Sequence, residues 1–118
     1  MAKVLIVDDS RFMRNIIREV LEEGGHEIIS EADNGYDGIE AYIALDPDLV
    51  TMDITMGGKD GIRAVEEIKE HDPEAKIIVV SALNEKTIRI NEPGINASAY
   101  IMKPFDKEVL LDKVNSLL

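Results

Sequence analysis

Two kinds of segment alternate along the chain. Short, largely apolar runs fall at Val4–Val7, Ile28–Ile29, Leu49–Met52, Ile77–Val80 and Tyr100–Met102. Between them lie longer stretches with helical spacing. Met13, Ile16, Ile17, Val20 and Leu21 follow the i, i+3, i+4, i+7, i+8 pattern of one helix face. Gly24-Gly25 ends that helix. Ile39, Tyr42 and Ile43 mark a second, stopped near Asp46-Pro47, and Ile62, Val65 and Ile68 a third, ending before Asp72-Pro73. A weaker piece covers Glu85–Asn91, where Pro93-Gly94 should stop it. Leu110, Val114, Leu117 and Leu118 give the last, with Asp106 as its N-cap.

The order is a strand followed by a helix, five times over. VLIV and IIVV do not alternate with polar residues, as expected of strands buried on both faces. Strands interleaved with helices imply a five-stranded parallel sheet, doubly wound, with helices on both sides. A length of 118 residues fits one domain, residues 1–118, with enough chain to bury about two thirds of its unfolded surface. No linker, low-complexity segment or repeat interrupts the rhythm.

Composition narrows the chemistry. Thirteen basic against 24 acidic side chains leave a net charge of −11, which argues against nucleic acid and anionic membrane as partners. There is no cysteine, which excludes disulfides, thiolate metal sites and thiol catalysis. The runs are too short to span a membrane, and the acidic pair Asp8-Asp9 cuts off the first one, so no secretory signal is expected. The expected location is the cytoplasm.

In open α/β sheets, ligands bind beyond the carboxyl ends of the strands. Asp8-Asp9 follow the first strand, Asp53 ends the third, Ser81 follows the fourth and Lys103-Pro104 the fifth. Three carboxylates repel one another unless a cation intervenes, and hard oxygen ligands at a partly open site suit magnesium. The acidic pair could instead cap the first helix, with Ser10 as a competitor, but two in a row exceed what capping needs. In that company Asp53 is a candidate nucleophile toward a phosphoryl group. Lys103 would neutralise phosphoryl oxygens, and Ser81 could donate a hydrogen bond to one. A cis Lys103-Pro104 bond would hold the ammonium inward. His26 and His71 flank turns and read as solvent-facing, and the methionines as core or loop filler. Asn34-Gly35 reads as a turn. Gly57, Gly58 and Gly61 form no Walker pattern.

VLIVDDSRFMR, DLVTMDITM…DG, VSA and IMKPF, in that order, resemble the receiver domains of two-component response regulators over essentially the whole chain. FMR and TMDITM are similar to the stand-alone chemotaxis receivers. The resemblance implies a flavodoxin-like (βα)5 fold and a phosphorylation-activated switch rather than an enzyme. Asp53 would take phosphate from a histidine kinase. Magnesium would be held by Asp9, Asp53 and the backbone carbonyl of Thr55, with Asp8 acting through water. Lys103 and Ser81 would contact the phosphoryl group, and Tyr100 would be the aromatic switch. Thr55 and Leu83 stand where the family tunes dephosphorylation. Implied partners are the kinase, a motor switch protein or adaptor, and a phosphatase; a monomer is expected.

Three positions depart from the family pattern. Gly57, with Gly58 beside it, stands where proline is frequent, which should loosen that loop and tie metal affinity to its ordering. Pro93-Gly94 should shorten the fourth helix and reshape the output face. Asn96 replaces a helix-ending glycine mildly. Other readings are a phosphorelay shuttle, a phosphatase using an aspartyl phosphate, and a flavin-phosphate binder. The phosphatase pattern wants Asp-x-Asp after the first strand, and the flavin binder wants a hydroxyl- and glycine-rich loop there; Asp8-Asp9 fit neither.

Overall fold

The computed structural model describes residues 1–57 and 60–118. The elements alternate as expected: β1 (Lys3–Val7), α1 (Arg11–Glu23), β2 (Glu27–Ala32), α2 (Gly35–Leu45), β3 (Leu49–Asp53), α3 (Asp60–His71), β4 (Ile77–Ser81), α4 (Glu85–Asn91), β5 (Ala99–Met102) and α5 (Lys107–Ser116). All strand pairs are parallel and the sheet order is β2-β1-β3-β4-β5. Chain direction across the sheet reverses between β1 and β3, which opens a crevice at their carboxyl ends.

Both sheet faces are covered, so successive strand residues enter different cores. Leu5, Val7, Val50, Met52, Ile77 and Val79 pack with Tyr42, Ile62, Val65, Ile68 and Ile88 from α2, α3 and α4. Val4, Ile6, Leu49, Ile78, Val80 and Ile101 pack with Ile17, Val20 and Leu21 of α1 and Leu110 and Val114 of α5. The edge strands are the exception: β5 fully buries only Ile101, and β2 is mostly half-buried and carries Ser30 and Glu31. β2 therefore extends well past the two isoleucines visible in the sequence. Among the described residues, no helix is long and apolar enough to cross a membrane.

Local chemistry sets the helix ends. Ser10 caps α1, its Oγ accepting from the Met13 N–H at 3.1 Å. Asn34-Gly35 is not a loop turn: Asn34 caps α2, accepting from the Asp37 N–H at 2.8 Å, and Gly35 is the first helical residue. The α4 helix ends at Asn91, where Pro93-Gly94 stop it. Asp106 holds the N-cap position of α5, but its side chain makes no capping bond. The helix stops at Ser116, with Leu117 as its C-cap.

His71 is exposed, but His26 is not solvent-facing. Its Nδ1 accepts from the Ala2 N–H at 3.0 Å, so Nε2 carries the proton and donates to Asn115 Oδ1, also at 3.0 Å. One ring thus ties the start of β1 to α5, at the end of the sheet away from the acidic pair.

Thr51, inside β3, is 1 % exposed, and among the described residues its hydroxyl has no hydrogen-bond partner. A buried hydroxyl without a partner costs about 1–3 kcal/mol in lost hydration. Thr51→Val keeps the branched shape and removes the orphan. It is expected to raise stability by about 1 kcal/mol, read as a higher urea midpoint with an unchanged slope. A lowered midpoint would mean that the hydroxyl is satisfied in solution.

Candidate functional site

Because all strands run in the same direction, their ends meet on one rim. The carboxylates of Asp8, Asp9 and Asp53 each offer an oxygen within 4.8 Å of the others. Asp8 and Asp53 are buried, whereas Asp9 is exposed at the mouth. Lys103 reaches in from the end of β5. Its Nζ lies 2.9 Å from Asp8 Oδ2 and 3.3 Å from Asp53 Oδ2. The Lys103-Pro104 bond is cis. The Lys103 N–H donates to the Ser81 carbonyl at 2.7 Å, which locks the end of β5 to the end of β4.

Each buried carboxylate is also held from its own loop. Asp8 Oδ1 accepts from the Ser10 N–H at 2.8 Å. Asp53 Oδ1 accepts from the Thr55 N–H at 2.8 Å and from the Thr55 hydroxyl at 2.6 Å. Ser10 does the capping of α1, so the acidic pair is left for other work. Asp53 can sit this deep because α3 begins hard against it. A Cβ on Gly61 would lie 2.3 Å from the Asp53 carbonyl oxygen and 2.6 Å from Ile54 Cα. Only glycine fits that approach.

The electrostatics follow from crowding and burial. Burial is the largest influence on Asp8 and pushes its carboxyl above the ordinary 3.8; the bonds from Ser10 and Lys103 pull downward without cancelling it, and Asp53 adds to the rise. Burial alone would lower the Lys103 ammonium. The Asp8 hydrogen bond and the Asp53 charge outweigh it, holding the ammonium above 10.5 and charged at any physiological pH. Hard carboxylate oxygens with no sulfur or imidazole among them suit a magnesium-like cation.

The sequence-predicted residues do not all meet. Asp8, Asp9, Asp53 and Lys103 form one group, with Thr55 bonded to Asp53. Ser81 stands at the same rim and is fully buried, but its Oγ accepts from the Leu83 N–H at 3.0 Å; among the described residues it makes no bond to the acids. Tyr100 is farther back on β5. Its ring lies under the Arg89 guanidinium, 5.0 Å from the centroid, and among the described residues its buried hydroxyl has no partner. Arg89 is itself bonded to Glu85 at 2.8 Å. Gly57 takes a positive φ of 40°, a turn that favours glycine. Gly58 and Lys59, and with them the expectation of a loose loop, lie outside the described residues. Sequence reasoning missed the close approach at Gly61 and the side chain of Arg14, whose Nη1 donates to the Asp8 carbonyl at 2.7 Å. The available signal for Arg14 was a cation one turn into the helix that follows an acidic pair.

Three comparisons place this geometry among known proteins. The family model "Response regulator receiver domain" matches residues 4–115. The chemotaxis protein CheY of Bacillus subtilis is 43% identical over 116 residues, covering 98% of this chain and 97% of that protein. The CheY of Halobacterium salinarum is 47% identical over 119 residues, covering 100% and 98%. Among solved structures, the response regulator TrrA of Thermotoga maritima in complex with Mg(2+)-BeF superposes with a TM-score of 0.89 at 34% identity, covering all of both chains. A chain of the CheX-CheY-BeF3-Mg complex from Borrelia burgdorferi gives 0.87 at 35%, covering 98% and 87%.

Proposed function

This chain belongs to the response regulator receiver domain family and is CheY-like, and on that footing we propose that it is a phosphorylation-activated chemotaxis regulator with Asp53 as phosphoacceptor. The observation that carries the reading is the placement of one buried carboxylate, Asp53, beside a fixed ammonium and two further acids on an open rim. The phosphodonor is a histidine kinase. The output is a motility motor, reached directly or through an adaptor, and a phosphatase resets the switch. We place the protein in the cytoplasm as a monomer.

In this reading an oxygen of Asp53 attacks the phosphorus of the donor phosphohistidine. The new O–P bond forms as the P–N bond breaks, and its electron pair returns to the imidazole. Thr55 holds the Asp53 carboxylate in one orientation through its N–H and hydroxyl. Lys103, which stays charged, receives the phosphoryl oxygens. Asp9, Asp53 and the Thr55 carbonyl would hold magnesium, with Asp8 acting through water; the cation neutralises charge on the transferred group. Asp9, the exposed member, would present its carboxylate to an incoming cation.

Ser81 and Tyr100 read the result. Ser81 would turn its hydroxyl proton to the phosphoryl group. Tyr100 is suited to move, because it is only half-buried and its hydroxyl has no partner among the described residues. The Arg89 guanidinium over its ring is exposed to solvent, so that stack holds it only lightly. A ring so held can be redistributed by a bias from the phosphorylated rim.

The test is intact-mass measurement after incubation with a small acyl-phosphate donor, with and without magnesium. A magnesium-dependent phosphoryl adduct is expected on the wild type and none on Asp53→Asn. An adduct of equal yield on that variant would overturn the assignment of the acceptor. Steady release of phosphate from phosphomonoesters would point to an enzyme instead, and onward transfer to a second protein's histidine to a relay shuttle.

A further inference from the structure

The turn that carries Asp8 and Asp9 into the rim is short and faces the like-charged Asp53. Repulsion from Asp53 and desolvation both favour its moving outward. Its backbone is held on the other side. The Asp8 N–H donates to the Ala32 carbonyl of β2 at 3.0 Å, and the Asp8 carbonyl accepts from Arg14 Nη1 at 2.7 Å.

Arg14 is in turn fixed by Glu31. Arg14 Nε donates to Glu31 Oε1 at 2.9 Å, and Glu31 Oε2 accepts from Arg18 Nε at 2.7 Å. The Arg14 and Glu31 side chains are only 16% and 23% exposed, unlike the outer Arg18–Glu22 pair at 36% and 51%. Burial alone would raise the Glu31 carboxyl, but the hydrogen bonds from Arg18 and then Arg14 hold it below 4.5, so it is ionised at neutral pH. The Arg14 cation thus faces Glu31 and a peptide oxygen, not the carboxylates on the rim. It braces the acidic turn without occupying the place of a metal ion.

We propose that Arg14, oriented by Glu31, is a positioning residue for cation binding: it holds the Asp8 carbonyl so that Asp8 and Asp9 stay aimed at Asp53. The inference rests on the magnesium-dependent reading of the rim given above. It requires arginine, because two diverging N–H groups of a planar fork serve Glu31 and the carbonyl together. A lysine offers one ammonium and cannot span both with the same geometry.

The sign of the effect separates this role from simple electrostatics. Removing a positive charge near an acidic cation site should tighten cation binding if charge alone mattered. Loss of positioning should weaken it. Calorimetric titration of the purified protein with magnesium chloride at fixed ionic strength reads this directly. Arg14→Ala is expected to weaken magnesium binding about tenfold, the scale seen when an outer partner of a metal ligand is lost. Arg14→Lys, which keeps the charge, should weaken it by a smaller factor. Arg18→Ala, which removes the outer pair and one of Glu31's two partners but leaves the Arg14–Glu31 and carbonyl bonds, should weaken it clearly less than Arg14→Ala. The magnesium concentration for half-maximal adduct formation should rise in parallel, with the same adduct reached at saturation.

Unchanged or tighter binding in both Arg14 variants, with a lowered melting temperature, would overturn the proposal and leave Arg14 a packing residue. An equal loss in Arg18→Ala would also overturn it, because the effect would then belong to the ion-pair network. If Arg14→Ala does not fold, the Lys variant decides. Wild-type magnesium binding without any adduct would sink the phosphoacceptor reading while leaving this test intact; no wild-type magnesium binding would sink both.

Discussion

Lys103→Met is expected to cost the metal-free protein about 3 kcal/mol of stability at neutral pH, and that loss should shrink as the solution is acidified toward pH 4. The lysine is the cation that touches both buried acids, at 2.9 Å from Asp8 and 3.3 Å from Asp53. Without it, two adjacent carboxylates remain in a desolvated pocket. The cost has a ceiling, since one of them can always take up a proton. From an ordinary value of 3.8, protonation at pH 7 costs about 4 kcal/mol, at 1.36 kcal/mol per pH unit.

The sign follows from which state holds the proton. The Asp8 pKa is already raised in the fold, and losing the ammonium raises it further. Between the unfolded value and that raised value the native state binds more protons than the unfolded one. Stability in this window therefore falls as pH rises. The Lys103 contribution, from a group held above 10.5, is present throughout and is lost only above that value. Urea denaturation in a chelator at pH 4.5, 6.0 and 7.5 checks the trend. A second substitution, Asp53→Asn, should recover most of the loss by removing the repulsion. A small, pH-independent loss would show that the acids on the rim are solvated well enough to do without their cation.

Gly61→Ala should be the other severe change, at about 3 kcal/mol, although alanine is the better helix former by about 1 kcal/mol. The new methyl would meet backbone on both contacts, the Asp53 carbonyl oxygen at 2.3 Å and Ile54 Cα at 2.6 Å. Neither can swing away. Relief requires α3 to retreat or the end of β3 to shift, and either motion carries Asp53 with it. Loss of stability and loss of magnesium binding should therefore come together. Gly24→Ala is the matched control: its Cβ would come within 2.4 Å of a leucine methyl, Leu111 Cδ2, at the free end of a flexible side chain. With φ at −79° that site tolerates alanine, and only a small change is expected. Equal behaviour of the two variants would refute the argument from close approach.

Legibility in the sequence followed burial. β1, β3 and β4 stand between two cores, so their runs are almost wholly apolar, Thr51 aside, and read directly as strands. The edge strand β2 exposes one side, and its polar residues hid most of its length. The end of α4 was readable because Pro93-Gly94 act locally. His26 was not, because its partners Ala2 and Asn115 lie 24 and 89 residues away. The same division holds at the rim. Asp8, Asp9, Asp53 and Lys103 follow apolar runs directly, and a parallel sheet must bring such positions together. Gly61 and Arg14 act through what surrounds them, which no residue type announces.

The position of Tyr100 has a practical optical consequence. The chain has three tyrosines and no tryptophan, so its near-ultraviolet absorption and emission arise chiefly from three phenol rings in different settings. Tyr36 is exposed to water. Tyr42 is buried, and burial together with its bond to Asp72 holds its phenol well above the usual range. Among the described residues Tyr100 alone lies beneath a guanidinium, a neighbour that perturbs the ring's transitions and its circular dichroism. A change in that stack alters the spectrum of one chromophore against two steady ones, so the native chain carries its own unlabelled reporter of the ring's position.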